Sequence, residues 1–211
     1  MNYHHGNLRR ELLDRAAQVI AKNGIEGLSL RALAQDLGVS HGAPARHFRD
    51  KHELLGALAT EGLNKLAEYV FAAAEAAGSD PLERYAAMGR ALVRFSIEYP
   101  AYYQATRHPD VVAHADPALK EAHQRRMQMT MEAARQAQAA GWLRGETVED
   151  AVTFSLAAVR GVAALLNDPL FLRSIGDGDR GPLIERMVRL IIDPSDPQTA
   201  RNSRRKKRNA R

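Results

Sequence analysis

GVSHGAPARHF, residues 38–48, lies between two segments that read plainly as helices, yet it holds two glycines, a proline and, His41 apart, only small residues before Arg46, His47 and Phe48. Gly and Pro are the poorest helix formers. Upstream, Ser29 stands as an N-cap for a helix whose apolar face is Leu30, Leu33, Ala34 and Leu37, and Gly38 closes it. The stretch itself is expected to form a second short helix, from Ser40 to His47, after the turn at Gly38 and Val39. Two short helices joined by a tight glycine-containing turn make a helix-turn-helix, whose second helix enters the DNA major groove. The thinness then has a physical purpose. A groove about 12 Å wide admits a helix only if the near face is slim, and Gly42, Ala43 and Ala45 keep it slim. Pro44 falls in the first turn, where a missing N–H costs least. Ser40 caps an N-terminus whose free N–H groups favour phosphate. Arg46 and His47 can donate to phosphates, and Arg46 can also reach a guanine edge. Phe48 is expected to turn back into the core. The same spacing is also compatible with a three-helix bundle that never meets DNA.

Outward from this stretch, almost everything reads as helix. Leu8, Leu12, Leu13, Ala16, Ala17 and Ile20 recur at helical spacing before Gly24. Asp50-Lys-His-Glu53 and Asp80-Pro-Leu-Glu83 are capping-box patterns, the first opening a helix that runs to about Ala77. Pro100 interrupts the next segment. Asp116-Pro117 opens a helix ending at Gly141, and Thr147-Val-Glu-Asp150 opens an apolar one ending near Asn167. A loop from Gly176 to Pro182 leads to a last helix stopped by Pro194. No segment alternates as a strand would, so the fold class is all-α.

The 211 residues suffice for one or two domains with a core, and 45% hydrophobic with 26% charged content is ordinary for a globular chain. The charge is unevenly placed. Residues 1–55 hold 8 Lys/Arg against 6 Asp/Glu, residues 56–197 hold 15 against 19, and residues 198–211 hold 7 against none. Basic ends can meet phosphates while an acidic middle stays clear of them. There is no Cys, hence no disulfide framework and no thiolate site. The N-terminus has no apolar stretch, and the longest apolar run, Ala151 to Leu166, is interrupted by Arg160 and too short for a bilayer. A cytoplasmic protein without a membrane partner is expected.

Residues 8–55 resemble the DNA-binding domain of the TetR family of bacterial repressors: Ser29-Leu-Arg-Ala-Leu-Ala34, then Gly38-Val-Ser40, then His47-Phe48, then Lys51 and Leu54. The resemblance implies an N-terminal three-helix DNA-binding domain followed by a larger helical domain that dimerises and encloses a ligand. It implies backbone contacts from Ser29, Arg31, His41, His47 and Lys51. His41, Gly42, Ala43 and Arg46 are the candidates for base readout, and Ser40, at the helix start, is counted with them among the DNA-binding residues. Where the family usually has a Tyr that touches the DNA backbone, this chain has Ala45. The domains expected are 1–55 for DNA binding, 56–196 for regulation and dimerisation, and 197–211 as a basic disordered tail.

In the larger part, Phe95, Tyr99, Tyr102 and Tyr103 gather around Pro100, and Met127 and Met131 lie one turn apart. Each alone reads as core. Together, adaptable Met and aromatic hydroxyls also line apolar pockets with a few polar handles. The ligand candidates are therefore Phe95, Tyr99, Tyr103, Met127, Met131 and Arg160, the last as an anchor for an anion or an ion-pair partner at a dimer interface. The stretch EYPAYYQATRHP is similar to a TetR C-terminal subgroup with a Trp-His-Gly hallmark. The corresponding positions here carry Leu156, Arg160 and Gly161, so two of three differ.

Other chemistries find no support. His47 and His52 are five apart and lack the Glu of a zinc helix, Asp177-Gly-Asp179 lacks the later ligands of a calcium loop, and no nucleophile elbow occurs. No cofactor and no catalytic residue is nominated. The reading is a homodimeric transcriptional regulator, a repressor released from a palindromic operator by a small molecule. An all-helical small-molecule enzyme and a nonspecific nucleic-acid-binding protein are the alternatives.

Overall fold

A computed structural model describes residues 7–176 and 178–193, all helices and turns with no strand among them. The basic tail, Asp177 and the first six residues lie outside the described residues. The helices are α1 (Leu8–Asn23), α2 (Leu30–Asp36), α3 (Lys51–Ala76), α4 (Pro81–Glu98), α5 (Pro100–Ala105), α6 (Pro109–Ala113), α7 (Pro117–Ala139), α8 (Val148–Leu166), α9 (Pro169–Ile175) and α10 (Gly181–Ile192). Local chemistry sets many of their ends. The Asp80 carboxylate accepts the Leu82 N–H at 3.0 Å, Asp116 accepts that of Leu119 at 2.7 Å, and the Thr147 hydroxyl accepts that of Asp150 at 3.1 Å. Each satisfies an N–H that the helix cannot pair internally. Pro occupies the start of α5, α6, α9 and α10, where its fixed φ suits a first turn. The short helices α6 and α9 were not anticipated.

The helix expected from Ser40 to His47 does not form. Residues 41–42 are a turn, and only Pro44–Arg46 is helical, as a single 3-10 turn. The hydrogen bonds give the reason. Ala43 N–H donates to Ser40 O at 2.9 Å, Arg46 N–H to Ala43 O at 3.2 Å and His47 N–H to Pro44 O at 2.9 Å, all spanning three residues. Pro44 has no N–H to give to Ser40 O, so the four-residue ladder cannot start there. Gly42, free of a side chain, adds no bias toward helix. Ser40 contributes its carbonyl, not a side-chain cap. Ser29 likewise occupies the N-cap position of α2 without a side-chain cap bond.

Two compact units divide the chain: residues up to Leu66 with Glu98–Arg126, and Ala67–Ile97 with residues from Met127 onward. In the first, Leu12, Leu13, Ala16 and Ile20 of α1, Leu33 and Ala34 of α2, Phe48, and Leu54, Leu55 and Leu58 of α3 form the core. Phe48 is buried as expected; burying such a ring is worth about 1.5–3 kcal/mol. Gly62 lets α5 approach α3 closely. A Cβ there would stand 3.1 Å from both the Cβ and the carbonyl oxygen of Tyr102, and 3.2 Å from Thr106.

In the second unit, Tyr85, Ala134, Ala137, Trp142, Ala151 and Val152 form one cluster. The Tyr85 and Trp142 rings lie 4.8 Å apart, and the Tyr85 hydroxyl shares a 2.7 Å hydrogen bond with Ser155. Gly89 brings α4 close to α8 and α10: its Cβ would meet Val188 at 3.3 Å and Val159 at 3.4 Å.

Candidate nucleic-acid interface

The turn from Ser40 to His47 is held from below. Pro44 and Phe48 are buried, and Phe48 N–H bonds to Pro44 O at 2.9 Å, tying the turn to its own anchor. Above this footing, Ser40, His41, Gly42, Ala45 and Arg46 are exposed, and Ala43 and His47 are half-buried. A Cβ built on Gly42 would meet nothing within 4 Å. The slimness read from the sequence is therefore present as open space, though on a turn and not on an α-helix. Ser29 and Arg31, at the start of α2, are exposed, and Lys51 is half-buried as the first residue of α3.

The electrostatics separate this surface from the rest of the first unit. Arg10 donates to Asp14 and to Glu61, Arg15 pairs with Asp36 at 2.8 Å, and Arg49 pairs with Glu53 at 3.1 Å. Among the described residues, Arg31, His41, Arg46, His47 and Lys51 take part in no ion pair. Exposed and unneutralised, Arg31 and Arg46 keep their charge for a polyanion. The free charges and the slim turn belong to the same short run of sequence.

An acidic counterpart lies at the start of α3. A cleft of about 350 Å³ is lined by Asp50, Glu53, Asp110 and Asp116 among others, with His52 3.9 Å from both Asp50 and Asp110. Backbone N–H groups hold two of these carboxyls below their ordinary range. For Asp50 the first cause is the N–H of Glu53. For Glu53 it is the N–H of Arg49, followed by the Arg49 guanidinium. Arg49, His52 and His114 also line the cleft, so its charge is mixed, and the sequence reading did not foresee it, because Asp110 is distant in the chain. Among the described residues, no group of three or more His, Asp or Glu could hold a metal ion.

The ligand candidates fall in both units. In the second, Phe95 is fully buried with its ring 5.8 Å from that of Tyr69, and Met127 and Met131 pack against the Tyr85–Trp142 cluster. Arg160 is half-buried on α8. In the first, Tyr99 and Tyr103 are half-buried, with Lys65 over the Tyr99 ring at 5.0 Å and Arg107 over the Tyr103 ring at 5.5 Å. The buried Tyr85–Ser155 pair is a polar group that the sequence reading missed; its partners are 70 residues apart.

Against known proteins, a family model described as bacterial regulatory proteins, tetR family, matches residues 12–58, and one described as tetracyclin repressor-like, C-terminal domain, matches residues 85–191. The HTH-type transcriptional repressor AcnR of Corynebacterium glutamicum is 42% identical over 64 residues, 30% of this chain and 34% of the repressor. The chain thus spans about a third of the length of that curated relative. A solved protein of unknown function from Rhodococcus sp. RHA1 is 32% identical, with a TM-score of 0.72 over 92% of this chain and 100% of that one. AibR, solved in complex with isovaleryl coenzyme A and operator DNA, is 19% identical with a TM-score of 0.69, covering 87% of this chain and 97% of its own, and shares the fold.

Proposed function

The chain belongs to the TetR family of bacterial regulatory proteins, and on that premise we propose that it is a ligand-responsive transcriptional regulator, a repressor released from a palindromic operator by a small molecule. The observation that carries this reading is the exposed turn at residues 40–47. It joins an open face at Gly42 to Arg46, which pairs with no carboxylate among the described residues. Residues 1–55 are the DNA-binding part in this reading, residues 56–196 the regulatory and dimerising part, and 197–211 a basic tail that adds sequence-independent affinity. Ser29, Arg31, His41, His47 and Lys51 hold the backbone, Ser40 lies on the phosphate side at the start of the turn, and His41, Gly42, Ala43 and Arg46 face the bases. No catalytic role is assigned to any residue, and the protein works in the cytoplasm. No single helix among the described residues is long and apolar enough to cross a membrane.

Dimerisation is assigned to α8 and α10. These helices pack on each other within the second unit and still expose Phe154, Leu165 and Leu190, apolar surface that a second copy would cover. A two-fold dimer sets half-sites about 34 Å apart or a multiple of it. The ligand candidates remain Phe95, Met127, Met131 and Arg160 in the second unit and Tyr99 and Tyr103 in the first. A ligand shifts the protein only through its different affinity for the DNA-competent and incompetent states. AibR, of the same fold, has been solved with an acyl thioester and DNA together.

The test is selection of bound duplexes from a random pool by the wild type, with light scattering on the same preparation. A two-fold symmetric consensus bound by a dimer is expected. A pool that stays unenriched, or a monomer at micromolar concentration, overturns the operator reading.

A further inference from the structure

Arg9 and Arg10 are neighbours in the first turn of α1, and the fold uses them differently. Arg10 is spent inside the protein: it donates to Asp14 on its own helix and to Glu61 on α3, and Glu61 also accepts the Tyr102 hydroxyl at 2.8 Å. Arg9 is exposed, and among the described residues it has no carboxylate partner. Its guanidinium lies instead on an aromatic face. The guanidinium carbon lies 5.2 Å from the centroid of the Phe48 ring.

That ring is the anchor of the turn. Phe48 is buried, its N–H is bonded to Pro44 O, and His47 immediately precedes it. α1 also packs against the Pro44–Arg46 turn. The Phe48 ring therefore holds a full positive charge beside the surface that carries His47 and Arg46. A guanidinium lying on an aromatic ring keeps its N–H edge free for two parallel bonds to a phosphate. Because the ring already limits its rotamers, less side-chain entropy is lost when an anion binds.

We propose that Arg9 is a phosphate contact of the DNA interface, positioned by Phe48 and adding affinity without sequence preference. The inference rests on the DNA-binding reading above and extends it to α1, outside the helix-turn-helix.

The experiment is fluorescence anisotropy with a 30-base-pair duplex of mixed sequence across a salt series, comparing wild type, Arg9→Leu, Arg9→Lys and Lys51→Ala. Leu keeps apolar cover on Phe48 and removes the charge. Each phosphate contact contributes about 0.9 to the slope of log affinity against log salt, equivalent to roughly five- to tenfold in affinity at 0.1 M salt. Arg9→Leu is expected to lose that slope and that affinity per bound chain, with the melting temperature lowered by no more than about 4 °C. Arg9→Lys is expected to keep the slope. If Leu unfolds the protein, Arg9→Gln reads the same slope with a polar neutral side chain. Unchanged slope and affinity in the neutral variants, while Lys51→Ala lowers both, would overturn the role of Arg9 and leave DNA binding standing. A wild type with no salt-dependent binding overturns the DNA-binding reading itself.

Discussion

Arg46 and Arg90 carry the same guanidinium into opposite circumstances. Arg90, on α4, has a side chain only 12% exposed and donates to Glu83 on its own helix and to Glu185 on α10, the latter at 3.3 Å. A charge so placed must be neutralised, because leaving it unpaired costs several kcal/mol. Arg46 is exposed on a 3-10 turn, where water solvates the charge and no carboxylate of the described protein competes for it. The contrast extends to the neighbourhoods. Around Arg90 the helices α4, α8 and α10 approach within van der Waals contact at Gly89. Around Arg46 there is open space at Gly42. The second unit spends its polar groups on itself, whereas the turn leaves its polar groups for a partner.

The largest expected effect comes from filling that space. Gly42→Leu adds a side chain that meets nothing within the protein, so stability should stay within about 0.5 kcal/mol of wild type, as for other surface changes. Operator binding should be abolished, because the bulk lies where the groove floor must come. Anisotropy on the selected operator with a melting curve decides this. A stable Gly42→Leu protein that binds like wild type breaks the contrast at its centre.

Trp142→Ala should do the reverse. The indole is buried against Tyr85 and donates toward Ile191 O at 3.5 Å. Removing it should cost about 3–5 kcal/mol of stability, read from denaturant unfolding. Operator affinity measured well below the melting transition should change little.

Arg46→Ala comes next. It should cost on the order of 1–3 kcal/mol on the operator and relax preference at one base pair per half-site, while Lys51→Ala and His47→Ala weaken operator and random duplex alike. Neither class should move the melting temperature, since none of these side chains has an ion-pair partner to lose among the described residues. Equal loss on operator and random duplex for Arg46→Ala would reassign it to the backbone.

The smallest effect is a pH dependence. Burial, and then the hydrogen bond to Glu61, push the Tyr102 hydroxyl up to about 12. Its ordinary value is about 10, so the folded state holds this proton more tightly than the unfolded chain. The stability this provides is complete below about pH 10 and is lost as pH rises toward about 12. The stability gap between wild type and Tyr102→Phe should therefore narrow between pH 9 and pH 11.5, measured as urea midpoints. A gap that stays constant would place Tyr102 outside the Arg10–Glu61 network.

Much of this molecule was legible in the sequence because its signals are local. Asp80, Asp116 and Thr147 each bond an N–H two or three residues away, so the caps can be read from spacing alone. The apolar faces of α1 and α2, the return of Phe48 to the core and the open face at Gly42 follow from helical period and residue size. What the sequence overstated was the regularity of residues 40–47. A first turn tolerates Pro44, but its missing N–H combines with Gly42 to leave bonds spanning three residues instead of an α-helix. The five-residue α6 and seven-residue α9 escaped because so short a segment shows no period.

Residue order and local chemistry suffice for an all-helical chain, its capped helices, and a slim, cation-bearing stretch suited to DNA. Which cations are available depends on how the helices pack. Arg9 and Arg10 are indistinguishable in sequence. Glu61, 51 residues from Arg10, neutralises one, and the other lies on the Phe48 ring with no carboxylate partner among the described residues. Electrostatic availability depends on distances between side chains far apart in the chain, and those distances exist only once the helices have packed.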